Sequence, residues 1–539
     1  MRQRNLLYIF ISVSIFGVLL YACKNPGEGV TINVNTYVLK APTAVQFVNA
    51  VKNAPNQPKD FAVTIGGKDA DKIVNASNNT EFSAKDGRII VALKKGVVPS
   101  ATNPIEFTVA AEIPGFTPAT KSFLITTDRP SSTVVQVIEY ANPVPGTTVK
   151  VQEDALQGGI TTTPIVVETQ APAGATESAT VSIAAGTQFL DAAGRPIVAS
   201  KLESRVVQFG TESPEALASF PGGFDIASIT NENGQQISGG GAFITAGFIA
   251  MDMFAGGTEV KSFSKPLEVE VGISSALQNP ETGTAVKAGD VLPVWSLDDK
   301  TGQWSYESDA TIEADPQGKL TATFFATHLS YWNFDWLMPF CTTRLNISFN
   351  ASGYVAQTYI VEVESEKGYR SSSYVVITNG LTVPQVRVPV GQLRITVRDL
   401  NYVQIARTNY FDGCSGNITV NMPATTDLDV VDVKMTLQGV CPNQPVNGNI
   451  SAFATFYEKG SSQSSGVTVY LRDGKLDITL KNNTEYSVTA LYGNTNKTAT
   501  IKFVKNNFTF PGTMSGTAVY DQVTNTVNVL AQFALPNCQ

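Results

Sequence analysis

The sequence predicts an all-β protein built from tandem β-sandwich modules behind an N-terminal export signal. Three observations carry that prediction. Val and Thr recur in short alternating runs along the whole chain, the period of a half-buried strand. Turn residues punctuate those runs, with 43 Gly and 28 Pro among 539 residues. Hydrophobic residues reach 43% while charged residues are only 16%, enough apolar surface for several cores.

The export signal occupies residues 1–22. Arg2 and Arg4 form a short positive start, and Leu6 to Leu20 is an apolar run without charge. The run is short for a membrane span, which needs about 20 residues. Leu20-Tyr21-Ala22-Cys23 resembles the lipobox of bacterial lipoproteins, with Tyr21 a departure from the usual small or β-branched residue. The resemblance implies that Cys23 is acylated and becomes the mature terminus, anchoring the chain in a membrane. Lys24 to Gly29 then reads as a flexible tether, within a lipidated segment 23–30. One acidic residue there, Glu28, leaves the membrane face open, so the expectation is the cell envelope, lipid-anchored, at the outer membrane.

The length allows about three to five domains. A first module is expected over 31–130, with strands at Phe61–Ile65, Arg88–Leu93, Ile105–Ala110 and Ser122–Thr126, and a tight turn at Asp86-Gly87. Residues 128–132 read as a linker. A larger unit is expected over 133–338, opened by a strand at Val134–Glu139. Its one good helix starts at Ser213-Pro214-Glu215, a cap followed by proline in the first turn. From Cys341 the alternation becomes cleaner, which suggests a small sandwich over 339–425 and a last one over 426–539. Asp473-Gly474 is the strongest hairpin signal of the last module. Taken whole, the chain resembles multi-domain envelope lipoproteins made of immunoglobulin-like modules, a resemblance of architecture that implies no activity.

With Cys23 set aside, Cys341, Cys414, Cys441 and Cys538 remain, an even number for an oxidising compartment. Three connectivities are open. Cys341–Cys414 with Cys441–Cys538 is preferred, because each pair brackets one module. A zinc site is the other reading, and the spacing lacks CxxC, so no metal is expected.

The formal charge of -8 and the lack of a basic stripe exclude nucleic acid as an expected partner. No nucleotide-binding loop and no HExxH occur, and no cofactor is expected. The chain has one histidine, His328, in Thr327-His328-Leu329-Ser330-Tyr331-Trp332. Residues about 295–336 resemble the end of ZU5-type β-sandwich domains and the His-Leu-Ser/Thr site of the adhesion-receptor autoproteolysis domain. Leu329 stands where the ZU5 version has Phe. The resemblance implies a single-turnover cut at Leu329–Ser330, with His328 as base and Ser330 as nucleophile acting on a strained peptide bond. An ordinary strand end is the plainer reading of the same residues.

All four tryptophans, Trp295, Trp304, Trp332 and Trp336, fall late in the large unit. Trp295 and Trp332 are expected in the core. Trp304 and Trp336, with Asp298 and Asp299 nearby, are candidates for a sugar-binding face. The functional expectation is a membrane-anchored, non-enzymatic scaffold that binds a protein or glycan. The alternatives are the same scaffold cutting itself, and a glycan-active envelope protein.

Overall fold

The computed structural model describes residues 32–35, 39–171, 177–352, 354–423, 429–441, 446–461, 463–492, 495–505, 508, 510 and 514–534. The signal, Cys23 and its tether lie outside them, as does Cys538. The regular secondary structure of the described chain is almost entirely strand, arranged as successive β-sandwiches.

In the first sandwich, Ser131–Val137, Lys40–Asn49, Arg88–Leu93 and Ile73–Asn75 form one sheet. Thr64–Gly66, Ile105–Ala111 and Ala119–Ile125 face it. Alternate residues such as Val45, Phe47, Val91, Phe107 and Val109 fill the space between. Two boundaries differ from the sequence expectation. Ser131–Val137 does not open the second unit but pairs in parallel with Lys40–Asn49. The reason is its burial pattern, which turns Val135 and Val137 into the first core. The expected linker is likewise held, with Asp128 accepting from Lys40 Nζ and from the Ala41 amide. Ile32–Asn35 lies outside the first sandwich altogether and runs parallel to Val446–Asn449 in the last sheet. There it covers a backbone edge that would otherwise be open.

Asp86-Gly87 and Asp473-Gly474 are tight turns with positive φ at both residues, 48° and 70° in the first and 52° and 75° in the second. Each reverses the chain through an antiparallel bridge, Lys85 with Arg88 and Arg472 with Lys475, and the strands on its two sides then join different sheets.

The second unit is one hydrogen-bonded path. It runs from Thr147–Ala155 through Lys201–Phe209, Gly241–Ala255, Tyr331–Met338 and Val291–Asp298 to Gln303–Ala314. It continues through Leu320–His328, Ser262–Ile273 and Ala179–Ile183 to Ile165–Glu168. Gln303–Ala314 belongs to both layers, pairing with Val291–Asp298 over most of its length and with Leu320–His328 at its end. The helix Pro214–Ala218 is capped by Ser213, whose hydroxyl accepts from the Ala216 amide at 3.2 Å.

The third sandwich sets Leu345–Asn350, Thr382–Val386 and Asn417–Asn421 against Arg370–Ile377, Gln357–Ser365, Gln392–Arg398 and Gln404–Arg407. The Cys341–Cys414 disulfide joins its two ends. Its apolar core is continuous with that of the second unit. The C-terminal sandwich has its own core around Val431, Val433, Phe456, Ile478 and Phe503. Cys441 is disulfide-bonded, while its expected partner Cys538 is outside the described residues.

Candidate functional site

The layer-crossing turn at residues 328–330 opens onto a cleft between the first sandwich and the second unit. Leu320–His328 ends in one layer, and Tyr331–Met338 starts in the other. Along the first of these strands Leu320, Ala322, Phe324 and Ala326 point inward while Thr323 and Phe325 point out. That alternation brings His328 to the cleft end of the sandwich, where its ring lies 4.9 Å from that of Trp332.

The cleft has a volume of about 740 Å³. Its far wall comes from the first sandwich, through Glu112, Ile113, Phe116 and Pro118. The second unit supplies Tyr140, Arg205, Asp252, Glu259, Lys261, Asp298, Asp299, Lys300, Glu307 and His328. Hydrogen bonds join the two walls. Thr108 Oγ1 donates to Thr301 O at 3.0 Å, Thr120 Oγ1 to Asp299 O at 3.1 Å, and Tyr331 Oη to Pro118 O. Gly66 is required at this seam, because a Cβ there would sit 1.7 Å from Lys300 O.

The sequence-derived residues His328, Leu329 and Ser330 are together in the turn, but their polar atoms are committed elsewhere. Ser330 Oγ donates to Leu297 O at 2.7 Å and accepts from the Leu297 amide at 3.1 Å. His328 Nε2 is 3.3 Å from Glu307 Oε1, and Nδ1 is 3.3 Å from Leu329 O. Glu307 also accepts from Ser296 Oγ at 2.5 Å. The Glu307 hydrogen bond holds His328 above its ordinary value, against the pull of burial. Burial pushes Glu307 up, but the hydrogen bonds from His328 and Ser296 outweigh it and hold the carboxyl low. Both ring nitrogens thus face acceptors, Glu307 Oε1 and Leu329 O, while Ser330 Oγ is tied to Leu297, so the imidazole is not placed to take the Ser330 proton.

Deeper in the cleft Tyr140 Oη donates to Asp252 Oδ2 at 3.1 Å. The Arg205 guanidinium lies over the rings of Tyr140, at 5.4 Å, and Phe254, at 4.7 Å. Burial raises Asp252 to about 6, even with the Tyr140 bond and Arg205 pulling it down. Burial also raises Asp299. Lys261 pairs with Glu259.

The tryptophan expectation is corrected for two residues. Trp304 is 1% exposed and Trp336 3%, so neither presents a ring face to a sugar. Trp304 packs on Phe220 and Phe243, and Trp332 on Phe324. Trp295 is buried and donates Nε1 to Asp335 O at 2.9 Å. Sequence reasoning missed Asp252, Tyr140, Arg205 and Glu307. They lie far apart in the chain, Arg205, Asp252 and Glu307 on separate strands and Tyr140 in a turn, and only the fold brings them to one end of the sandwich. Among the described residues no cluster of His, Cys, Asp and Glu suited to a metal ion occurs. No described helix is long and apolar enough to cross a membrane.

No protein-family model matches the chain, and no curated protein matches it. Among solved structures the chain is similar to GBS52, the minor pilin of Streptococcus agalactiae, at 10% identity and a TM-score of 0.14, over 36% of this chain and 98% of that one. It is similar to the Bacillus anthracis TIE protein at 9% identity and 0.13, over 72% and 59%. A third is BcpA, the major pilin subunit of Bacillus cereus, at 9% identity and 0.14, over 92% and 99%. Overlaps of that quality carry no argument about this chain.

Proposed function

We propose that this chain is a non-enzymatic binding scaffold, anchored to the cell envelope through Cys23, whose ligand seat is the cleft between the first sandwich and the second unit. The observation that carries the reading is the cleft's size together with its charge. A volume of about 740 Å³ falls in the range of small-molecule and peptide sites. Glu112, Asp252, Glu259, Asp298, Asp299 and Glu307 outnumber Arg205, Lys261 and Lys300 along its walls. Ile113, Phe116, Met251 and Phe254 add apolar surface. Such a lining suits a segment that carries amines on an apolar body.

The test uses the full lipidated chain in detergent with a tetralysine peptide as probe, followed by calorimetry at low ionic strength. Binding is expected, and Glu112→Gln with Asp299→Asn is expected to weaken it about tenfold. Equal binding by both proteins removes the cleft as the seat. Mass spectrometry of the same preparation reads the anchor: a mature terminus without acyl groups on Cys23 ends that part of the proposal.

Self-cleavage at Leu329–Ser330 is the second reading, favoured by the assembly of all three residues in one layer-crossing turn. It requires Ser330 to leave Leu297 and His328 to leave Glu307. A denaturing gel separates the readings. One full-length band is expected here, and two bands that merge in Ser330→Ala would establish the second reading.

A further inference from the structure

A second site lies where the first sandwich meets the third and the last. The strand Arg88–Leu93 is buried along its whole length. Its alternation turns Ile89, Val91 and Leu93 into the first core. Ile90, on the opposite face, packs with Ala44, Phe453 and Leu491. Arg88 shares that opposite face and is thereby carried into the junction with the C-terminal sandwich. It is 6% exposed. Neither its Nε nor its Nη1 finds a hydrogen-bond partner among the described residues. Burial draws the guanidinium down to about 10, against the opposing pull of Asp86 and Tyr457, so it stays charged at neutral pH.

Arg88 lines a cavity of about 20 Å³, measured as room for the centres of water-sized spheres. That is space for about one small body, since a water needs roughly 10–15 Å³ on this measure. Ser132, Thr358, Tyr374, Thr455 and Thr468 line it from three sandwiches, and Arg88 is the one charged residue among the described lining side chains. The serine and threonine hydroxyls among these are already tied to one another and to backbone carbonyls. Ser132 Oγ donates to Thr468 O, Thr358 Oγ1 to Gly466 O, and Thr455 shares a proton with Thr468. A buried guanidinium with two donors unpartnered carries a large desolvation cost, and the charge of Asp86 and the neutral hydroxyls offset it only in part.

We propose that this cavity holds one small monovalent anion of the halide type, the counter-ion of Arg88 and a bridge between the first, third and C-terminal sandwiches. The size excludes sulfate, phosphate and carboxylates. A water fits the space equally well, but brings no charge, and the experiment distinguishes the two.

The full chain is unfolded thermally at constant ionic strength in chloride, in bromide and in gluconate, an anion too large to enter. Chloride and bromide are expected to raise the midpoint saturably, by about 2–4 °C over gluconate. Arg88→Met is expected to lose that difference, and it removes a buried charge, so it is expected to fold. Equal midpoints in the three salts for the natural chain overturn the proposal. So does a full chloride response in the variant. If the variant does not fold, a crystal of the natural chain grown in bromide decides. Anomalous density beside Arg88 supports the site, and density explained by water alone ends it.

Discussion

The second unit meets its two neighbours in opposite ways. Toward the third sandwich the boundary is apolar, and a single core passes through it. Tyr369 of the third sandwich, 2% exposed, lines a cavity of about 330 Å³ with Phe224 and Phe243 of the second unit, where Glu212, Glu364, Arg370 and Arg394 are the charged exceptions to the apolar packing. Toward the first sandwich the boundary is polar, with a few hydroxyl-to-carbonyl bonds around a charged cleft. Hydrophobic burial is non-directional and scales with area, so the apolar boundary behaves as one folding unit. A polar seam contributes little net stability and keeps its charges available to a ligand. A change in strand pattern at Cys341 thus marks a new sandwich without marking an independent one.

The largest effect is expected on the apolar side. Tyr369→Ala removes a buried aromatic ring and should destabilise by about 3–5 kcal/mol. Urea unfolding followed by proteolysis should show the second and third regions losing protection together. Two separate transitions in the natural chain would break the contrast. The next effect belongs to Asp252 on the polar side. Its folded pKa of about 6 lies above the unfolded value of about 3.9. The folded state therefore holds the proton more tightly, so stability falls as pH rises between those values and stays lower above them. Asp252→Asn should gain up to about 3 kcal/mol over the natural chain on going from pH 4 to pH 7. A difference independent of pH would show that the carboxyl carries no penalty.

Much of the fold was legible because it is written locally. The strand Arg88–Leu93 and the capped helix at Ser213 follow from alternation and cap chemistry within a few residues. The pairing of Cys341 with Cys414 was legible from the even count and the bracketing of a module. What failed was long-range. Nothing near Ile32 announces that it pairs with Val446, and nothing near Ser131 announces a parallel partner at Thr43. Asp86-Gly87 and Asp473-Gly474 have hairpin chemistry, but a two-residue turn fixes only the local reversal and not which sheet the next strand joins. The site was half legible. The His-Leu-Ser turn could be read directly, whereas Glu307, which sets the protonation of His328, is brought there only by the register of three strands. Trp304 was misplaced because an aromatic beside acidic residues looks the same in sequence whether it faces a ligand or Phe243.

The smallest effect sharpens the comparison from the polar side. Because the chain has one histidine, its imidazole resonances belong to His328 without assignment. Glu307 raises His328, so that part of the pair's stability is present below about 6.5 and is lost as pH rises through the folded value. His328 and Ser296 lower Glu307, so its part is present above about 4.3 and is lost as pH falls through its folded value. The pair is thus complete only between those limits. The two side chains are 37% and 29% exposed, so solvent screens them and the whole contribution should stay under about 1 kcal/mol. An NMR titration should place the His328 midpoint above about 6.5, and Glu307→Gln should lower it. Added salt should narrow the gap between the two proteins. A midpoint that ignores Glu307→Gln would free the imidazole to act as a base toward Ser330, and the cleft would then have to be read as a reactive site rather than a binding one.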